Sequence, residues 1–117
     1  MPQVSIITPT YNCARFIEET IKSVQAQTFT DWEMIISDDC SSDNTKEVIA
    51  PYLASDSRIK YICNDKNSGA AITRNNALRI ASGRWIAFLD SDDLWLPEKL
   101  EKQISFMETN DYAFTYH

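Results

Sequence analysis

Three carboxylates crowd into four residues at Asp90-Ser91-Asp92-Asp93, directly behind the apolar run Trp85-Ile86-Ala87-Phe88-Leu89. Charges of one sign this close repel unless water, hydrogen bonds or a cation compensates them. An Asp-x-Asp pair where a strand opens into a loop can address one cation from both side chains. All-oxygen ligands select hard divalent ions, Mg²⁺ or Mn²⁺. Asp92 or Asp93 could instead cap a following turn, as acidic residues commonly do.

A second acidic pair, Asp38-Asp39, follows the apolar segment Trp32–Ser37. Either carboxylate could accept hydrogen bonds from a ribose or a base N–H, or support the positive end of the next helix. Arg74 in "GAAITRNNA" carries a planar fork that binds phosphate oxygens bidentately, and a surface ion pair is its plainer use. Lys66 is a second cation in the preceding loop. Tyr11, after Thr8-Pro9-Thr10, offers an aromatic face of the kind that stacks on bases, although tyrosine also serves as an ordinary wall residue. The chain has only two glycines, Gly69 and Gly83, and neither a G-x-G-x-x-G nor a Walker sequence. Any phosphate must therefore be neutralised by a cation rather than by a glycine cradle.

Alternating elements place these residues. Strands are expected over 3–7, 32–37, 58–63, 84–90 and 112–116, and helices over 14–27, 42–54 and 68–82. Pro51 predicts a kink or early stop in the second helix, and Gly83 an end to the third. Pro97 suits a first helical position, with Leu100, Ile104 and Met107 striping the helix that follows. Strand–helix alternation at such short spacing means βαβ units, a largely parallel sheet and right-handed crossovers. "TPTYN" (8–12), "DDCSS" (38–42), "NDKNSG" (64–69) and "DSDDLW" (90–95) each follow a strand. In a parallel sheet they share the carboxyl edge, where open α/β folds bind ligands.

Composition narrows the partners. The 117 residues are 44% hydrophobic and 24% charged, with a formal charge of −6, and read as one globular domain. That charge excludes a nucleic-acid partner, which would need a cationic face. Cys13, Cys40 and Cys63 are odd in number and widely spaced, which reads as reduced thiols rather than a disulfide or zinc framework. Met1-Pro2-Gln3 runs straight into a strand with no signal-peptide pattern, and no apolar run approaches a spanning length. A cytoplasmic location is the expectation, peripheral to the membrane in a full-length protein.

Four pieces, "VSIITPTYN", "QTFTDWEMIISDDCSSDNT", "NSGAAITRNNAL" and "GRWIAFLDSDDLWLPEKL", together resemble the amino-terminal half of a family 2 glycosyltransferase of the Rossmann-like GT-A fold. They span nearly the whole chain in the family's order. The family's usual glycine after the paired acids is Cys40 here. The resemblance implies a nucleotide-sugar donor, most often a UDP-sugar, transferred with inversion to a glycan or lipid-linked acceptor. It implies that Tyr11 lies against the base, that Asp39 accepts from its N–H and that Pro9 belongs to the nucleotide-sugar-binding residues. Arg74 would serve the base or phosphate side. Asp90 and Asp92 would be the Asp-x-Asp pair, with Asp92 the direct ligand of Mn²⁺ or Mg²⁺. Residues 1–117 would be the donor portion of a longer enzyme, with the general base beyond residue 117 and a fifth strand whose Tyr112, Phe114 and Tyr116 could drive self-association. A non-catalytic nucleotide-sugar-binding module is the alternative. Haloacid-dehalogenase phosphotransferases and response-regulator receivers want acids after the first strand, where this chain has "TPTYN".

Overall fold

Val4-Ser5-Ile6-Ile7 and Trp32-Glu33-Met34-Ile35-Ile36 are rich in β-branched and aromatic residues, and they form the centre of a parallel sheet. The computed structural model describes residues 2–110 and 114–115. Its elements are β1 (Val4–Thr10), α1 (Ile17–Gln25), β2 (Trp32–Asp38), α2 (Thr45–Ser55), β3 (Ile59–Cys63), α3 (Ala70–Ile80), β4 (Trp85–Phe88), α4 (Lys99–Asn110) and β5 (Phe114–Thr115). The strand order is β3-β2-β1-β4-β5, with every pair parallel. The expected α/β architecture is therefore observed. The Met107 side chain, Tyr112, Tyr116 and the Phe114 side chain, on which the expected helix stripe and self-association rest in part, fall outside the described residues.

The chain steps outward from β1 through β2 to β3, then returns across β1 to place β4 on the other side. Right-handed crossovers then put α1 and α2 on one face of the sheet and α3 on the other. The core divides accordingly. Val4, Ile6, Met34 and Ile36 pack with Ile17, Ile21, Val24, Ile49, Leu100 and Ile104, while Ile7 and Ile35 pack with Ala77 of α3. The reversal of strand order lies between β1 and β4, and there the sheet opens at its carboxyl edge.

Three local expectations are refined. β1 runs on to Thr10, three residues past the expected end, with Pro9 inside it. Odd-numbered β1 residues face β4, since Gln3 O accepts from Trp85 N at 2.8 Å and Ile7 O from Leu89 N at 3.0 Å. Pro9 is next in that series, but the pairing with β4 has ended at Ile7–Phe88, so its missing N–H costs no ladder bond. Helix α2 passes through Pro51 to Ser55 without the early stop. Pro51 and Glu47, whose carbonyl loses its partner, are both exposed, so water can satisfy that carbonyl. Helix α4 begins at Lys99 rather than Pro97, whose carbonyl accepts from Thr28 N at 2.9 Å.

Gly83 serves a different purpose from the expected helix stop. Helix α3 has already ended at Ile80, and a Cβ on Gly83 would come within 2.5 Å of Ser5 N. Only glycine lets the turn before β4 lie against β1.

Candidate functional site

The loops after β1, β2, β3 and β4 meet as the parallel sheet requires. Backbone bonds carry the ladder past the strand ends: Asp39 N donates to Thr10 O and Asn64 N to Asp38 O, both at 2.8 Å. Beyond them a cavity of about 340 Å³ opens between the ends of β1 and β4. All six residues singled out from sequence, Pro9, Tyr11, Asp39, Arg74, Asp90 and Asp92, line it. A larger cavity of about 670 Å³ lies beside Leu94, Trp95, Leu96 and Lys99, and of the clustered acids only Asp93 reaches it. Convergence of charged groups, rather than size, marks the smaller one as the site.

The acidic pair after β2 divides its labour. Asp38 is 1% exposed, and its oxygens accept from Ser41 N (2.9 Å), Ser41 Oγ (2.6 Å) and the Tyr61 hydroxyl (2.6 Å). Burial and the Asp38 partner push the Tyr61 phenol pKa up. Asp38 therefore belongs to the scaffold. Asp39 reaches the cavity, yet its carboxylate also accepts from Ser68 N (2.6 Å), Asn64 Nδ2 (2.9 Å) and Gly69 N (2.9 Å). Burial pushes the Asp39 pKa up, but these donors outweigh it and hold the group below the usual carboxylate range. Gly69, at φ 94°, sits where a side chain would be strained, and it turns its N–H onto Asp39 just before α3. These donors and the Thr73 hydroxyl take up most of the roughly four acceptor positions of the carboxylate, which still lines the cavity.

Asp90 and Asp92 stand exposed at the cavity. Asp93 instead accepts from Leu94 N at 2.9 Å. Among the described residues no cluster of three or more His, Cys, Asp or Glu is arranged to hold an ion. Mg²⁺ and its like, however, bind through one or two carboxylates while substrate phosphates and water complete the shell. The Asp90–Asp92 pair fits a site of that kind. Arg74, the fifth residue of α3, is half-buried in the cavity wall, and the ion pairs among the described residues, Arg58–Asp56 and Lys60–Glu33, do not engage it. Lys66 lines a separate cavity with Asn64 and Asp65, away from Arg74. Tyr11 is 48% exposed at the rim, with its ring free to meet a planar ligand.

Several residues matter that the sequence reading passed over. Asn12 has φ 50°, a conformation asparagine tolerates better than most residues. Its Oδ1 accepts from Ser42 N at 2.8 Å while its own N donates to Ser41 Oγ at 2.9 Å, which ties the loop after β1 to the loop after β2. Cys13, Asn67 and Thr73 share the cavity wall, and Ser91 Oγ lies 2.8 Å from Cys13 Sγ. Asn64 bridges Asp39 and Thr73 and is itself held by Asn76 Nδ2 at 2.7 Å. Asparagine just past a strand end, at positions 12 and 64, is the signal in the sequence that points to them. Cys40, in place of the family's glycine, adopts φ 61°.

Known proteins resemble the chain in sequence and in fold. In *Escherichia coli*, UDP-Glc:alpha-D-GlcNAc-diphosphoundecaprenol beta-1,3-glucosyltransferase WfgD is 52% identical over 113 residues, which are 97% of this chain and 44% of that protein. The solved structure of *S. aureus* TarS 1-349 in complex with UDP-GlcNAc superposes with TM-score 0.87 at 33% identity, covering 95% of this chain and 32% of that one. Mannosyltransferase PcManGT from *Pyrobaculum calidifontis*, in complex with GDP-Man and Mn²⁺, gives 0.85 at 27% identity, covering 91% and 32%. The chain thus spans less than half the length of the curated relatives it matches. The sequence model of Glycosyl transferase family 2 matches residues 5–117. With a parallel sheet of this order and this match over nearly its whole length, the chain belongs to glycosyl transferase family 2.

Proposed function

We propose that the chain carries the donor site of a metal-dependent, inverting glycosyltransferase that uses a UDP-sugar. The observation that carries this reading is the convergence of Tyr11, Asp39, Arg74, Asp90 and Asp92 on one cavity at the point where the strand order reverses. Tyr11 and Pro9 take the base, and the Asp39 carboxylate at the cavity wall takes a base N–H. Uracil offers such a donor and cytosine a lone pair in its place. Arg74 faces the phosphate side. Asp90 and Asp92 hold Mn²⁺ or Mg²⁺, with Asp92 the direct ligand. When bound, that cation supplies positive charge to the departing diphosphate.

Transfer with inversion also needs a base within hydrogen-bond reach of the acceptor hydroxyl. Asp38, Asp39 and Asp43 are held by the fold, and Asp90 and Asp92 are assigned to the donor. On this reading the base and the acceptor-binding segment lie outside residues 1–117, which cover less than half the length of the curated relatives. A lipid-linked saccharide is the proposed acceptor class, supported by the substrate in the name of WfgD, and it would hold the whole enzyme at a membrane surface.

Calorimetry tests the donor site directly. UDP should bind in the presence of Mn²⁺ at least ~10-fold more tightly than in EDTA, and Asp92→Asn should remove most of that difference, about 1.4 kcal/mol. Equal affinity with and without metal in the wild-type chain would remove Asp90 and Asp92 from the reading.

A further inference from the structure

The segment that carries Asp92 has no regular structure of its own. Residues 91–98, between β4 and α4, are turn and coil, so their backbone groups need partners from elsewhere. Helix α1 supplies Thr20 and Ser23, three residues apart on neighbouring turns, and the coil just past its end supplies Gln27. Thr20, wholly buried, has Oγ1 within 3.0 Å of Ser91 O, 2.8 Å of Asp93 O and 3.3 Å of Phe16 O. Its single proton serves one of them at a time, and two of the three acceptors flank Asp92. Ser23 Oγ accepts from Trp95 N at 3.3 Å. Gln27, 4% exposed, donates Nε2 to Leu96 O at 2.7 Å and accepts at Oε1 from Leu100 N at 3.0 Å. At the other end of the acidic turn, Asp93 N donates to Asp90 O at 3.0 Å.

This ladder grips main chain only and leaves the carboxylates of Asp90 and Asp92 exposed. It also holds Asp90, Asp92 and Asp93 close together against their mutual repulsion, which would otherwise favour an open loop. We propose that Thr20, backed by Ser23 and Gln27, is a positioning residue: it fixes the backbone on both sides of Asp92 so that the Asp90–Asp92 pair is set in advance for a divalent cation and the diphosphate it carries. The inference rests on the donor-site reading above. A loop that must be ordered at the moment of binding lowers affinity, and an ordered one does not, so the effect belongs to metal-dependent binding and not to the base pocket.

The test measures UDP with Mn²⁺ and uridine, which has no phosphate, by calorimetry, together with the melting temperature. Thr20→Val keeps the shape and removes the hydroxyl. It should weaken UDP·Mn²⁺ binding at least ~10-fold while uridine affinity stays within about 2-fold, and Thr20→Ser should restore UDP·Mn²⁺ affinity to within about 3-fold of wild type. Ser23→Ala, at a half-buried helical site that tolerates alanine, provides the second variant and should cost about 3-fold on UDP·Mn²⁺ alone. Unchanged UDP·Mn²⁺ affinity in folded Thr20→Val, or in Ser23→Ala should Thr20→Val not fold, overturns the proposal. So does an equal loss on UDP and uridine, the mark of a general structural role. Metal-independent UDP binding by the wild type overturns the donor-site reading, and this inference with it.

Discussion

Asp39→Asn separates the two tasks of the most heavily engaged carboxylate at the site. In the wild type Oδ1 accepts from Ser68 N and Asn64 Nδ2, and Oδ2 from Gly69 N. An asparagine keeps the shape but has one acceptor atom. Its better orientation puts the amide oxygen on the Ser68–Asn64 side and turns the amide NH₂ against Gly69 N–H, donor facing donor. A hydrogen bond to a charged group contributes about 1.5–3 kcal/mol, so the variant should lose roughly that much. For a domain of this size that is a fall in melting temperature of roughly 6–12 °C. The same loss of charge should reach the ligand. The wild type should prefer UDP to CDP by at least ~10-fold, since uracil donates to the carboxylate where cytosine presents a lone pair, and the variant should prefer it by less than about 3-fold. Asn64→Ala is the control, because it removes one donor to Asp39 and keeps the charge: it should lower the melting temperature and retain the UDP preference. Differential scanning fluorimetry and calorimetry with both nucleotides read the outcome. Wild-type chain that binds UDP and CDP equally would leave Asp39 as an anchor for the 64–69 loop and nothing more. An Asp39→Asn melting temperature equal to wild type would refute the hydrogen-bond reasoning itself.

Two further outcomes are expected away from the cavity. Glu33 is buried, which pushes its pKa up, but hydrogen bonds from Lys60, Ser5 and Ser82 outweigh this and hold it at about 2. With the folded value depressed, its contribution is complete above the unfolded value of about 4.3 and is lost as pH falls from there through about 2, by about 3 kcal/mol. Urea midpoints should therefore fall more steeply over that window for wild type than for Glu33→Gln, and parallel curves would contradict the assignment. Cys40 holds φ 61° without being glycine, at about 1–2 kcal/mol of strain. Cys40→Gly should relieve it, less about 0.4–1 kcal/mol of added unfolded-state entropy, for a net gain of about 0.5–1 kcal/mol in chemical denaturation. A destabilised Cys40→Gly would mean that the Cys40 Sγ contact with Asp65 O outweighs the backbone strain.

The sheet was legible because its signals are redundant. Each strand is an apolar run closed by polar residues, the first helix carries Ile17, Ile21 and Val24 at helical spacing, and parallel order follows from the alternation of strands and helices. Element ends were not legible where they depend on a partner. Whether Pro9 lies inside β1 depends on where β4 stops pairing, and whether Pro51 ends α2 depends on which carbonyl is exposed to water. Gly83 read as a helix stop because a close approach to Ser5, 78 residues away, leaves no local trace.

At the site, the chemical groups first singled out at the cavity were readable and the residues that hold them in place were not. Tyr11, Asp90 and Asp92 stand out by type just past strand ends and Arg74 near the start of α3, and topology alone brings them to one edge. Asp38 and Asp39 are adjacent and chemically identical, so nothing in their own sequence assigns one to Tyr61 and Ser41 and the other to the cavity. Strand alternation does: neighbours in an extended chain point to opposite sides, and only one of two consecutive acids can face a given cleft. Thr20 and Gln27 were hidden for the opposite reason. They flank the apolar stripe of the expected 14–27 helix, three residues from Ile17 and Val24, where a polar residue reads as the start of the solvated face. Both are buried, because that flank covers a stretch of irregular backbone instead of solvent. A polar stripe at helical spacing therefore has two readings, solvated surface or backbone clamp. The clamp becomes the better one when a nearby loop, such as 91–98 here, has acids to hold together and no secondary structure to do it.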